Sequence, residues 1–335
     1  MSYAVLSEEY MILAGDIGGT KTNLGLYDPR EGRLVRLAEK RYSSQDHGGL
    51  EEIVADFVKL TGAEVTAAAF GIAGPVVNNQ VHATNIPWIV DGSAMAKCLG
   101  LERVRLLNDL EAWGYGIGVL GPQDLETLHP GVPAPEVNAV VIAAGTGMGQ
   151  CVLFWDGRQH VPMATEAGHA DFAPHTDRQA DLWKYLKSQN DFVSTECVLS
   201  GGGFKRVHEF LDPSVRHAGF DDRSADAAPA ITENGLSGAC PVCVATLDLW
   251  VEMYGSEAGN LALRAVARGG IYIAGGIALK ILPKMKDGRF VKAVRQKEKL
   301  GDFLAQIPVH LVLDDECPLR GSAFVAWRGV WPAAR

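Results

Sequence analysis

The residues best suited to chemistry in this chain are four acids, one histidine and the glycine-rich turns among which they are spaced. Residues 12–28 read ILAGDIGGTKTNLGLYD, and residues 140–156 read VVIAAGTGMGQCVLFWD. In both, an apolar run enters a tight turn, and a second apolar run leaves it to end in an aromatic and an aspartate. Gly18-Gly19-Thr20 is matched by Thr146-Gly147-Met148, with Gly145 opening the second turn. Such hairpins turn backbone N–H groups toward an anion. Two of them predict a duplicated domain gripping one polyphosphate from both sides. Neither is a Walker A loop, since GxxxxGK[ST] does not occur, and neither is a Rossmann fingerprint, since a strand-like run follows each turn. A further glycine run, Ile273-Ala274-Gly275-Gly276, completes the set.

The acids take their meaning from these turns. Asp16 ends the first apolar run, and an acid beside bound phosphate repels it unless a cation intervenes. Its expected role is to hold Mg²⁺ through water, and the competing role is a turn cap. Asn108-Asp109 follows the apolar run VRLL, at the strand end where α/β folds bind ligands. A carboxylate there could accept the proton of an attacking hydroxyl while the neighbouring amide fixes its direction. The same pair could equally be the N-cap of the next helix. Glu166, His169 and Glu196 suit a polyhydroxyl ligand, because each can pair with adjacent hydroxyls and a ligand lacking them would leave them unpaired. A zinc reading of Glu166 and His169 lacks a third spaced ligand. Asn85 in ATNIPW is a further polar candidate, and Trp88 is expected to pack its loop.

The elements that must position these groups follow from the apolar pattern. Strands are predicted at 11–16, 22–28, 33–42, 66–72 and 104–108, with helices near 48–61, 93–99 and 112–118. Pro122–Pro135 is the most linker-like stretch. The second half shows a hairpin at 139–155, a loop at 160–178, and helices at 179–189 and 193–198. Gly201, Gly202 and Gly203 are predicted to form a turn before a helix at 204–211. Residues 212–232 look like a surface excursion, a long helix covers about 242–267, and 319–330 is apolar at helical spacing. The duplicated alternation implies an α/β fold with two mixed sheets and a cleft between them.

The bulk numbers fit that plan. The chain has 335 residues, 47% hydrophobic and 21% charged, enough for two domains that each bury a core. A net charge of −9 argues against a nucleic-acid surface but leaves room for a nucleotide. The longest apolar run is too short for a membrane span, and no secretory signal is expected. Six scattered cysteines read as a reduced, cytosolic protein. Cys240 and Cys243 form a CxxC, but neither a second CxxC nor a His-x-His cluster completes a tetrahedron, so they read as small residues on a helix starting near Pro241.

LAGDIGGTKTNLGL, FGIAGPV, TNIPW, LLNDLEA, AAGTGMG, EAGHADFAP, STECVLSGGG and IAGGI occur in the order seen in bacterial-type glucokinases, and the chain resembles that family from about residue 12 to 325. The resemblance is to the group lacking the zinc-binding cysteine cluster of ROK sugar kinases. It implies duplicated ribonuclease-H-like domains of the actin-like ATPase fold, with a cleft between them. The expected division is a small domain at 1–110, with a helix at 319–335 packing back on it, and a large domain at 111–318. It implies an ATP:D-glucose 6-phosphotransferase using Mg²⁺, with Asp109 as base on the 6-hydroxyl of D-glucose. Asn85, Asn108, Glu166, His169 and Glu196 would bind the sugar. Asp16, Gly18, Gly19, Thr20, Gly145, Thr146 and Gly147 would flank the ATP phosphates, and Gly201, Gly202, Gly275 and Gly276 would border the adenosine. A cytoplasmic homodimer is the family expectation. The alternatives are a kinase for another hexose or a glucokinase that uses polyphosphate.

Overall fold

The computed structural model of the protein describes residues 10–84, 86–220 and 226–329, which form two compact units. The first draws its described residues from Met1–Leu120 and Glu316–Arg335, the second from Gly121–Asp315.

In the first unit, β1 (Met11–Ile17), β2 (Lys21–Arg30), β3 (Arg33–Ser43), β4 (Val65–Ile72) and β8 (Arg105–Asn108) form one sheet in the order β3-β2-β1-β4-β8. β1 and β2 are an antiparallel hairpin, and β1, β4 and β8 run parallel. Parallel pairing needs covering elements on both faces, which is why β4 reads VTAAAFGI without alternation and buries its last five residues. Helices α1 (Leu50–Thr61) and α2 (Gly92–Leu99) pack with Phe57, Phe70 and Met95 into one core. α3 (Asp109–Ile117) lies against the C-terminal helix Cys317–Arg328, through Ala112, Tyr115 and Val325. Their packing keeps α3 in this unit, so the boundary lies at 120/121 instead of 110/111. A small sheet of β5 (Val76–Val77), β6 (Gln80–His82) and β7 (Ile89–Asp91) occupies the proline-bearing stretch, with Trp88 buried beside it.

The second unit repeats the topology. β9 (Leu125–His129), β10 (Ala139–Ala144), β11 (Met148–Trp155), β12 (His160–Thr165), β13 (Ile271–Ala274) and β14 (Val309–Val312) order as β12-β11-β10-β13-β14-β9. Two antiparallel pairs and two parallel pairs recur in the sequence of the first sheet, and β9 adds an antiparallel edge. Helices α4 (Asp177–Lys187), α5 (Thr195–Val198), α6 (Gly201–Leu211), α7 (Ala228–Leu236) and α8 (Pro241–Ala265) follow. The core gathers around α8, where fully buried Trp250 stacks on Phe204 at 4.8 Å and Tyr254 donates to the Ile142 carbonyl at 3.1 Å.

Three expectations change. The linker-like stretch contains β9, whose five residues are only half covered as an edge strand. The loop expected from 160 begins with strand β12, whose Pro162 is tolerated at the other edge. Gly201–Gly203 are the first turn of α6, not a turn preceding it. Among the described residues no single helix is long and apolar enough to cross a membrane.

Candidate active site

In the first unit, sheet register sets the site. Ile17 pairs with Ile72 and Ile72 with Asn108, so Asp16, Asn108 and Asp109 come to the same carboxyl edge of three parallel strands. Asp16 faces Asn23 across the hairpin and accepts from its Nδ2 at 3.3 Å. The turn at Gly18–Thr20 closes through the Gly18 N–H on the Lys21 carbonyl at 2.8 Å. It is braced by fully buried Ser44, whose hydroxyl donates to the Gly18 carbonyl at 2.8 Å and whose N–H reaches the Thr20 carbonyl at 3.0 Å. Thr22 Oγ1 lies 3.0 Å from the same hydroxyl. Sequence pattern gave no signal for Ser44, because its partners lie on the turn more than twenty residues earlier.

The two readings of Asn108-Asp109 are separated by geometry. Asn108 is the N-cap of α3: its Oδ1 accepts the Leu110 N–H at 2.8 Å. Its Nδ2 donates to the Gly74 carbonyl at 3.0 Å, tying the cap to the loop after β4. Asp109 is therefore the first helical residue, half-exposed, with one carboxylate oxygen 3.0 Å from the Leu110 N–H. Two residues later Glu111 pairs with Arg105 of β8, joining strand to helix. Burial pushes the Glu111 carboxyl above the usual range, and the Arg105 guanidinium opposes that shift.

The second unit assembles its groups around Met148. The turn Gly145–Gly147 closes through the Gly145 N–H on the Gly147 carbonyl at 2.9 Å. Glu196, on α5, accepts the Met148 N–H at 2.9 Å, and a Cβ on Gly147 would lie 2.6 Å from the same carboxylate oxygen. Glu166 and His169 bracket a short 3-10 turn, both exposed, with the His169 N–H on the Glu166 carbonyl at 3.0 Å. Gly168 between them sits so close to the Met148 carbonyl that a side chain there would collide with it. The stretch after His169 is stitched to the approach to α5, by the Thr195 N–H on the Ala170 carbonyl at 2.8 Å and the Phe172 N–H on the Val193 carbonyl at 3.0 Å. Packing thus brings Glu166, His169 and Glu196 to one hairpin end.

The glycine runs meet the same turn. The Gly201 N–H donates to the Gly145 carbonyl at 2.9 Å, and half-exposed Gly201 with exposed Gly202 opens the eleven-residue α6. Gly275 follows β13 at φ +86° and abuts the end of β10, where a Cβ would strike the Ala144 carbonyl. Gly276 is exposed beside it, as are Thr20 and Thr146 on the two turns. Asn85 lies outside the described residues. A turn edged by the N–H groups of a helix start, with acids and an imidazole alongside, can hold an anion next to a polar, hydroxylated group.

The twofold sheet order and the two hairpin turns define the class as the actin-like ATPase fold, a mixed α/β scaffold. A family model described as Glucokinase matches residues 13–328. A glucokinase of Nostoc sp. (strain PCC 7120) is 39% identical over 341 residues, covering 95% of this chain and 99% of its own. The crystal structure of glucokinase from an Antarctic psychrotroph superposes with a TM-score of 0.83 at 29% identity, covering 96% of this chain and all of that one. A ROK family glucokinase from Streptomyces griseus, solved with glucose and AMPPNP, gives a TM-score of 0.66 at 20% identity over 95% of this chain and 100% of its own. At that identity it shows the fold alone. The chain belongs to the glucokinase family.

Proposed function

We propose that Asp109 is the general base of this glucokinase, which transfers the γ-phosphoryl group of ATP to the 6-hydroxyl of D-glucose. Asp109 takes the hydroxyl proton as O6 attacks phosphorus in line, the bond to the β-phosphate oxygen breaks, and ADP leaves with glucose 6-phosphate as the second product. The observation that carries this reading is the division of labour at 108–109. Asn108 fulfils the capping role, so Asp109 is held at the strand edge by a cap that is itself tied to Gly74.

Asn108, Glu166, His169 and Glu196 orient the remaining hydroxyls in this account. Asn85, named on the same grounds, belongs with them. The backbone of Gly18–Thr20 and Gly145–Gly147 lies along the phosphates, and Gly201, Gly202, Gly275 and Gly276 border the nucleoside. The carboxylate of Asp16 fits a hydrated Mg²⁺, since it sits at a strand end beside an N–H-rich turn and is only half-buried. The ion, when bound, neutralises charge on the phosphate oxygens. We place the chain outside the ROK group only on its lack of that group's zinc-binding cysteine cluster. A cytoplasmic homodimer is the assembly we expect, and light scattering of the purified chain tests it.

Asp109→Asn is the decisive variant. It should bind glucose as the parent does while kcat falls by roughly 10²–10⁴, the usual worth of a positioned base. Retention of near-parental turnover in a coupled ADP-release assay would remove Asp109 from the role.

A further inference from the structure

One cluster of ligating side chains lies apart from every residue of the candidate active site. His208, His217, Cys240 and Cys243 each bring a ligand atom within 4.8 Å of all the others. His208 belongs to α6, His217 to the loop after it, and the cysteines to the start of α8. His208, Cys240 and Cys243 are buried and His217 is half-buried. His217 Nε2 lies 3.2 Å from Cys243 Sγ, and the two imidazoles stand edge to face at 5.5 Å. Phe220 closes over His208 with ring centroids 4.9 Å apart.

Two features demand an explanation. His208 is fully buried, yet neither ring nitrogen has a hydrogen-bond partner. An imidazole left in that condition costs on the order of 1–3 kcal/mol. The second feature is the CxxC itself. Cys240 is the N-cap of a 25-residue helix and accepts the Cys243 N–H at 3.4 Å, so the thiol sulfurs sit where the helix end favours negative charge.

We propose that His208, His217, Cys240 and Cys243 bind one zinc ion as a closed structural site. Binding releases two thiol protons, and two thiolates with two neutral imidazoles cancel the charge of Zn²⁺, which suits an apolar pocket. Tetrahedral Zn–S and Zn–N bonds of about 2.3 and 2.0 Å place ligand atoms roughly 3.3–3.8 Å apart. All four atoms lie within 4.8 Å of one another, so shifts of about an ångström or less bring them to that geometry. All four tetrahedral positions are filled by protein, so the ion holds structure and takes no substrate. It would fasten the loop carrying His217 to α6 and to the start of α8.

The test uses the full chain, reduced and stripped of metal, then given Zn²⁺ or Co²⁺. One equivalent should bind, and the cobalt form should show tetrahedral d–d bands with a sulfur-to-cobalt charge-transfer band. Zn²⁺ should also protect two thiols from alkylation while exposed Cys98 still reacts. Cys243→Ser should bind less than a tenth of an equivalent, and Cys98→Ser should bind as the parent does. Should Cys243→Ser fail to fold, the cobalt spectrum and alkylation pattern of the parent decide alone. Binding below a tenth of an equivalent by the parent, or a cobalt spectrum without sulfur ligation, overturns the proposal.

Discussion

The two hairpin turns are alike in sequence and differ in what holds them. Gly18–Thr20 is braced by the buried hydroxyls of Thr22 on its own hairpin and of Ser44 just past the end of β3. Gly145–Gly147 is held from outside, by the Glu196 carboxylate, the start of α6 and the strand end carrying Gly275. A turn secured by its neighbours is autonomous, whereas a turn secured by distant elements reports on them. Any group that displaces Glu196 also releases the Met148 N–H, so the second turn is the one coupled to a carboxylate proposed to bind the sugar.

The widest gap should appear between a glycine of the first turn and the glycine after β13 that abuts the strand entering the second. Gly275→Ala forces a side chain into a left-handed backbone and against the Ala144 carbonyl, and we expect it to cost about 3 kcal/mol or more of stability. Gly18→Ala meets only the Lys21 carbonyl at 3.3 Å, without positive φ, and should cost under about 1 kcal/mol. Denaturant unfolding of both variants measures the difference, and equal losses would erase the contrast. Next comes Glu196. Glu196→Ala leaves the buried Met148 N–H unpaired, a penalty on the order of 1–3 kcal/mol, while Glu196→Gln keeps an acceptor oxygen. The alanine variant should therefore raise KM for ATP as well as for glucose, and the glutamine variant should affect glucose more. If both variants leave KM for ATP at the parental value, the coupling is absent. Smallest is Ser44→Ala, about 1 kcal/mol and a Tm lower by roughly 2 °C, with no change in KM for glucose. A glucose effect there would make the first turn coupled as well.

The sequence was most readable where structure is local. The buried parallel strands announced themselves as unbroken apolar runs, and the C-terminal helix by the helical spacing of its apolar residues. Edge strands were harder: LETLH has only two apolar residues and HVPMAT carries a proline and exposes Met163 and Ala164, because one side of each lacks a strand neighbour. At Asn108-Asp109 the pattern allowed a cap or a base for the pair, and only the bond from Leu110 to Asn108 assigned the cap. The CxxC was discounted for want of two more ligands. Those ligands, His208 and His217, lie more than twenty residues upstream and reach the cysteines through the packing of α6 on α8.

By itself, then, the order of residues determined the two hairpins, the strand and helix content, and the family, because apolar period and glycine torsions act between near neighbours. Which carboxylate would grip a turn, which hydroxyl would brace one, and which histidines would face two thiols were decided only on folding. Hydrogen bonds and ligand sets join atoms by distance in space, and tertiary packing alone makes those distances short.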